Sequence, residues 1–183
     1  MANQTYNIGL NIISEITKSR YEMNRADSGI KNASFRISGD GKSTDQMWTR
    51  IKEENEQKLE TATNNFQFLY QNLMDLKHQC TSDEWKMLLQ ALGVTLAKTE
   101  NIEHVGENLW DARDLQYALN QTGDMIKQKV TQLKETQENG DEDLEIIINA
   151  ELSYYENDMK KHHWGEDRLK KIYSSLENEE KIR

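Results

Sequence analysis

The sequence contains no proline in 183 residues. Average usage near 5% would give about nine. Proline removes a backbone donor and breaks the interior of a helix, so its absence fits long uninterrupted helices. The same absence argues against a fold that is rich in loops.

Cysteine and long apolar runs are also scarce. The only cysteine, Cys80, excludes an internal disulfide. No apolar run approaches the ~20 residues needed to span a bilayer, so we expect no membrane span. The N-terminus lacks the basic start and continuous apolar stretch of a cleavable secretory signal. The sequence leaves the compartment open: cytoplasmic, or exported without a cleaved signal peptide.

Basic residues and large apolar residues are both in short supply. The formal net charge of −9 argues against nucleic-acid binding through a basic patch, because an acidic surface repels phosphate. Leu, Ile, Val and Phe together make up only about 20% of the chain. So few large apolar residues indicate that the helices pack along narrow apolar stripes, or that a partner completes the burial of apolar surface.

Periodicity and turn signals predict four helices, over about 5–31, 44–80, 82–137 and 143–180, with a flexible turn at 34–43. Capping boxes mark the starts of the second and third helices. Ser43 with Gln46 forms one such box, and Thr81 with Glu84 forms the other. A helix C-terminus is predicted at Asn139 and Gly140, and the acidic residues that follow suit the start of the next helix.

Apolar residues in three of these helices alternate spacings of three and four, which places them on one narrow stripe. In the second helix the stripe comprises Leu59, Ala62, Phe66, Leu69, Leu73, Leu76 and Cys80. The 82–137 helix is the longest, and its candidate bends are Gly93, Gly106 and Gly123. We therefore expect one all-α domain over 1–183, an elongated coiled-coil-like bundle of about four helices in long antiparallel hairpins.

The segment from Arg36 to Gln46 contains GKS, the end of a phosphate-binding loop. That loop needs a glycine five residues before the glycine that precedes lysine, and here the required position is Arg36. No buried strand precedes the segment either. We interpret it as a turn that leads into a helix, and we expect no bound nucleotide.

Metal and nucleophile chemistry lack a convincing set of residues. Asp75 with His78, and Asp158 with His162, share a helical face, but two ligands do not make a zinc site. No Glu-x-x-His occurs, as a di-iron bundle would require. His78 is two residues from Cys80, and residues two apart on a helix point in different directions. We therefore expect no cofactor, no metal and no enzymatic activity.

Four residues are candidates for partner contact or assembly. Trp110 and Trp164 are candidate partner contacts, because tryptophan is enriched at interface hot spots; burial in the bundle is the alternative. His162 and Glu166 fall on the stripe of the fourth helix, where apolar residues are expected. They form either a local break in the stripe or a polar layer that tunes assembly with pH.

These features favour a non-enzymatic structural or interaction protein that acts by helix–helix association with a protein partner or with itself. A subunit or partner in a secretion filament or apparatus, or a phage structural component, fits this description. The alternative is a small acidic inhibitor or regulator that binds a basic site on another protein. Acids gathered on one exposed face would favour the inhibitor, and interleaved charges would favour assembly.

Overall fold

A computed structural model describes residues 2–105 and 112–182, and within these ranges the side chains from 4 to 181. The described residues form six α-helices, one short 3-10 helix and no strand, which confirms the all-α class. The α-helices are α1 Ala2–Arg36, α2 Ser43–Met74, α3 Ser82–Lys98, α4 Ala112–Asn139, α5 Glu142–Lys160 and α6 Gly165–Ile182, and the 3-10 helix is Lys77–Gln79.

The first two helices differ from the prediction mainly at their ends. α1 continues to Arg36, so the turn before α2 covers 37–42 instead of 34–43. α2 stops at Met74, and the chain reaches Cys80 through the 3-10 helix instead of one continuous helix over 44–80. Gly39 and Gly41 have φ of 80° and 68°, a left-handed backbone that glycine adopts without strain and that turns the chain between α1 and α2.

The helix predicted over 82–137, for which the sequence left a bend at a glycine open, is interrupted in the structure. α3 ends at Lys98, α4 begins at Ala112, and residues 99–105 are not helical. Gly93 and Gly123 lie inside α3 and α4, and Gly106 lies outside the described residues.

Distant residues supply hydrogen-bond acceptors to the segment that follows α3. The backbone N–H of Val105 donates to Oδ2 of Asp158 at 2.9 Å, and the N–H of Glu103 donates to Oε1 of Gln121 at 2.8 Å. A backbone N–H that has such an acceptor does not need a hydrogen bond within a helix. The spacing of apolar residues by three and four does not depend on these distant acceptors, so it predicted helix through residues 99–105.

The predicted helix over 143–180 is also interrupted. α5 ends at Lys160 and α6 begins at Gly165, with a tight turn at 161–164. A Cβ atom at Gly165 would collide with the backbone carbonyl of Met159. The chain can therefore fold back against the end of α5 only because residue 165 has no side chain.

Local capping explains where two helices start. Thr81 and Glu84 form the predicted capping box: the Thr81 N–H donates to Glu84 at 3.1 Å, and the Glu84 N–H donates to Thr81 at 3.2 Å. Before α5, Gly140 has φ of 72° and Asp141 accepts from the N–H of Leu144 at 3.1 Å. The box predicted at Ser43 is wrong, because the residue that caps α2 is Lys42 and its side chain makes no capping hydrogen bond.

The described contacts group into two compact units, 1–85 and 86–183. In the first unit α1 packs along α2 as a hairpin. In the second, α4 packs on α5, and α6 packs on both. The core cluster of the second unit comprises Ala97, Val105, Ala118, Leu119, Ile126, Leu152, Tyr155, Met159, Leu169 and Ile172. The single domain over 1–183 and its elongated four-helix arrangement stay predictions.

Candidate protein interface

Cross-helix contacts fix the alignment of the α1–α2 hairpin. Nδ2 of Asn65 donates to Oγ of the buried Ser19 at 3.1 Å. Nearer the turn, the guanidinium of Arg36 lies 4.8 Å from the centre of the Trp48 ring. The two contacts lie far apart along the hairpin but pair the helices in the same antiparallel alignment. The helices therefore stay together from the turn at 37–42 towards the opposite end.

Small side chains line much of the inner face of this hairpin. Gly9, Ser19, Ala26 and Ala33 of α1 and Ala62 of α2 are buried, and towards the open end of the hairpin the larger Ile13, Ile16 and Leu73 are buried as well. Small residues let two helices approach closely, but they leave little volume to cover larger neighbours.

One side of the hairpin carries a row of large side chains that are half-buried. We call this row the apolar flank, and its members are Met23, Ile30, Leu59, Phe66, Tyr70 and Met74. Steps of seven in α1, and of seven, four and four in α2, place the members on one side of each helix. The guanidinium of Arg20 lies 5.6 Å from the centre of the Phe66 ring, which places the α1 side and the α2 side together.

The other side of the hairpin is charged. A groove of about 570 Å³ lies between α1 and α2 there. Its charged lining residues are Glu22, Arg25, Glu54 and Lys58. Phe68 is 65% exposed and, two residues from both Phe66 and Tyr70, points away from the apolar flank. The hairpin thus has one apolar flank and one charged side.

Trp164 is exposed, as a residue that contacts a partner must be. Its side chain is 63% exposed in the turn between α5 and α6. The Trp164 ring lies 4.3 Å from the ring of His163 and 5.1 Å from that of His162, measured between centroids. Contact with a partner stays a prediction for Trp164. Trp110, the other candidate, lies outside the described residues.

His162 and Glu166 are not brought into one buried layer. His162 is half-buried in the 161–164 turn, where its Nδ1 accepts the N–H of Trp164 at 3.3 Å. Glu166 is exposed in the first turn of α6. Because the helix breaks between them, the two side chains do not share the continuous stripe on which the polar-layer prediction was based.

The sequence did not predict that two carboxylates of α5, Glu151 and Asp158, are buried, although it placed Asp158 on one helical face with His162. Oε2 of Glu151 pairs with Nζ of Lys129 at 2.6 Å, and both side chains are nearly buried. Asp158 is 2% exposed, accepts the N–H of Val105 and lies 3.9 Å from Nδ1 of His104. The signal was present at helical spacing, because Glu151 and Asp158 fall within the apolar face of α5 that includes Ile148, Leu152 and Tyr155. A strict heptad stripe excludes both positions.

These buried charges have structural partners within the second unit. Asp158 anchors the backbone that follows α3, and the pair of Glu151 with Lys129 joins α5 to α4. No three His, Cys, Asp or Glu side chains of the described residues converge as a metal site would require. Burial, with a further contribution from Glu84, raises the pKa of the Cys80 thiol, which disfavours the thiolate that acts as a nucleophile. None of the described helices is both long and apolar enough to cross a membrane.

No family model, curated protein or solved structure matches this chain. The chemistry and arrangement of its own residues are therefore the basis for a functional proposal.

Proposed function

We propose that this is a non-enzymatic interaction protein that associates with another protein chain through helix–helix packing on the apolar flank. The observation that carries the proposal is the alignment of six large side chains, each half-buried, along one side of the α1–α2 hairpin. An amphipathic helix docks by placing apolar side chains at such spacings into a complementary surface. Aromatic residues at the centre of such a surface contribute most to affinity, and here these are Phe66 and Tyr70.

The distribution of charge within the α1–α2 hairpin supports helix association there over binding of that surface to a basic site. Acids and bases are equal in number in residues 1–74, and Glu15 pairs with Lys18 and Asp27 with Lys31, whereas the excess of acids lies after residue 74. In the acidic run Glu138–Glu145, the carboxylate of Asp141 caps α5 and Glu145 accepts from Gln137 at 3.2 Å. Local contacts thus account for two of these acids. The inhibitor stays an alternative proposal, which predicts a basic partner at this acidic run.

Site-directed photo-crosslinking tests the proposed surface in cells that express the protein. A photoreactive phenylalanine analogue replaces Tyr70 on the apolar flank in one variant. In the matched variant it replaces Phe68, two residues away on the opposite side of α2. We expect adducts with a protein chain from position 70 and few or none from position 68, because only the first position faces the docked helix. Equal yields from both positions, or adducts from position 68 alone, would contradict the proposal.

A further inference from the structure

We infer that the occupant of the apolar flank is a second copy of this chain, so that two α1–α2 hairpins form a four-helix bundle with α1 of each copy beside α2 of the other. The inference rests on the proposed function and names its partner. Three features of the hairpin support it: its overall charge, the separation of charge between its helices, and the size of the surface.

The hairpin is electrically neutral, although the whole chain is strongly acidic. Residues 1–74 contain nine acidic and nine basic residues, so the net charge of −9 lies entirely in residues 75–183. A two-fold contact places a surface against its own copy, and a surface with one sign of charge then repels itself. The neutral hairpin can therefore meet its own copy without that penalty. Neutrality also gives a strongly charged partner no electrostatic advantage at this site.

Charge is separated between the two helices of the hairpin. α1 contains five basic and three acidic residues, a net charge of +2, whereas α2 contains three basic and five acidic residues, a net charge of −2. In a bundle of two hairpins, each helix can lie beside either helix of the other copy. Placing α1 beside the partner's α2 brings opposite net charges together, whereas α1 beside α1 opposes like charges. The net charges of the two helices therefore favour one arrangement of the bundle.

The hairpin surface is large enough for a stable dimer. The 32 residues of α2 extend over about 48 Å at 1.5 Å per residue. Two helices packed side by side present a strip roughly 18 Å wide, since helix axes lie about 8–10 Å apart. Over the full length of α2 the strip offers on the order of 800 Å² per copy, the size of a standard protein interface, and the stretch 59–74 that carries the apolar flank supplies about half of it. Near the open end of the hairpin it carries few charges, because Thr61–Met74 of α2 contains no charged residue.

Sedimentation velocity of the full-length protein over a hundredfold range of concentration tests the inference. We expect the mass to rise towards twice the 21.4 kDa of one chain. Tyr70→Glu should weaken the dimer by roughly tenfold or more, because it places a charge among apolar side chains. Phe68→Glu adds the same charge to the same helix on the opposite side and should leave the dissociation constant unchanged. A wild-type monomer at every concentration, or a dimer weakened by Phe68→Glu and not by Tyr70→Glu, would overturn the inference.

A second measurement uses the wild-type chain alone, because Tyr70 also packs on Phe66 within one hairpin, with ring centres 6.1 Å apart. Amide hydrogen exchange compared at low and high protein concentration should slow in residues 59–74 and stay unchanged in residues 147–159. Equal protection of residues 59–74 at both concentrations contradicts a dimer at this flank. If the purified protein is a monomer while position 70 crosslinks to a different protein in cells, the self-association inference fails and the proposed function stands.

Discussion

Gly93 allows the backbones of α3 and α5 to pack directly against each other. A Cβ atom at this position would lie 2.6 Å from Cβ of Ala150 and would also collide with the carbonyl oxygen of Ile147. Neither obstacle is the end of a flexible side chain, so the two helices would have to move apart. The sequence marked Gly93 as a candidate bend, but the structure places it inside an unbroken helix at a point of close contact.

Gly93→Ala should therefore destabilise the second unit. Helix propensity alone predicts a gain of about 1 kcal/mol, whereas forcing a methyl group into a packed contact costs about 1–3 kcal/mol. We expect a net loss of free energy of unfolding in urea titrations. Gly123→Ala is the matched control, because a Cβ there meets only side-chain atoms, of Ile172 at 3.3 Å and Met159 at 3.8 Å. Stabilisation by Gly93→Ala equal to that of the control would contradict the proposed close contact.

The turn between α1 and α2 is organised by one carboxylate. The N–H of Ser38 donates to Oδ1 of Asp45 at 3.0 Å, and the Ser38 hydroxyl donates to the same oxygen at 2.9 Å. Asp45 also lies in the first turn of α2, where the helix dipole favours a negative charge. The backbone N–H of Ser38 is the main reason that the pKa of Asp45 lies below its ordinary value of 3.8.

Asp45→Asn should reduce stability at neutral pH and matter progressively less in acid. A carboxyl group whose pKa is lowered on folding stabilises the folded state above its unfolded pKa, and this contribution disappears as the pH falls through the folded value. The difference in thermal midpoint between wild type and Asp45→Asn should therefore shrink below about pH 3.8. Asp40→Asn changes an exposed carboxylate in the same turn and serves as the control. A difference for Asp45→Asn that stays constant into acid would show that this linkage is wrong.

Short-range signals account for the helices and for several of their ends, whereas contacts distant in sequence account for the breaks. The absence of proline, the periodicity and the capping box at Thr81 were readable from neighbouring residues. The break after Lys98 depends on Asp158, and the break after Lys160 depends on the fit of Gly165 against α5. The local spacing of apolar residues does not reflect either contact, so it could not predict these two breaks.

The apolar flank was only partly predictable for a related reason. Leu59 and Phe66 belong to the predicted stripe of the second helix, but Tyr70 and Met74 do not. A heptad stripe describes residues that face one partner helix. The inner face of α1 carries small residues and also the buried Ile13 and Ile16, and the apolar flank combines positions of that stripe with half-buried positions beside it. Which positions beside the stripe are half-buried depends on how the two helices pack together, and the spacing of residues along one helix does not describe that packing.

At the scale of the whole molecule, charge and core are unequally divided between the two units. The net negative charge lies after residue 74, and so do most of the buried apolar side chains, including the core cluster around Tyr155 and Met159. The hairpin is neutral and has small side chains on its inner face. We therefore expect the second unit to have greater stability of its own, and the hairpin to gain stability from association.

Two fragments test this division. Residues 82–183 keep all of α3 together with the core cluster, so this fragment should unfold cooperatively in urea with a midpoint independent of its concentration. Residues 1–80 keep the α1–α2 hairpin. The helicity of this fragment, measured by circular dichroism, should rise with concentration, because helices without sufficient tertiary packing are marginal in water and mass action favours the dimer. Tyr70→Glu should abolish that rise, and Phe68→Glu should preserve it. A hairpin fragment with full helicity at every concentration would contradict the expectation, since its stability would then come from contacts within a single chain.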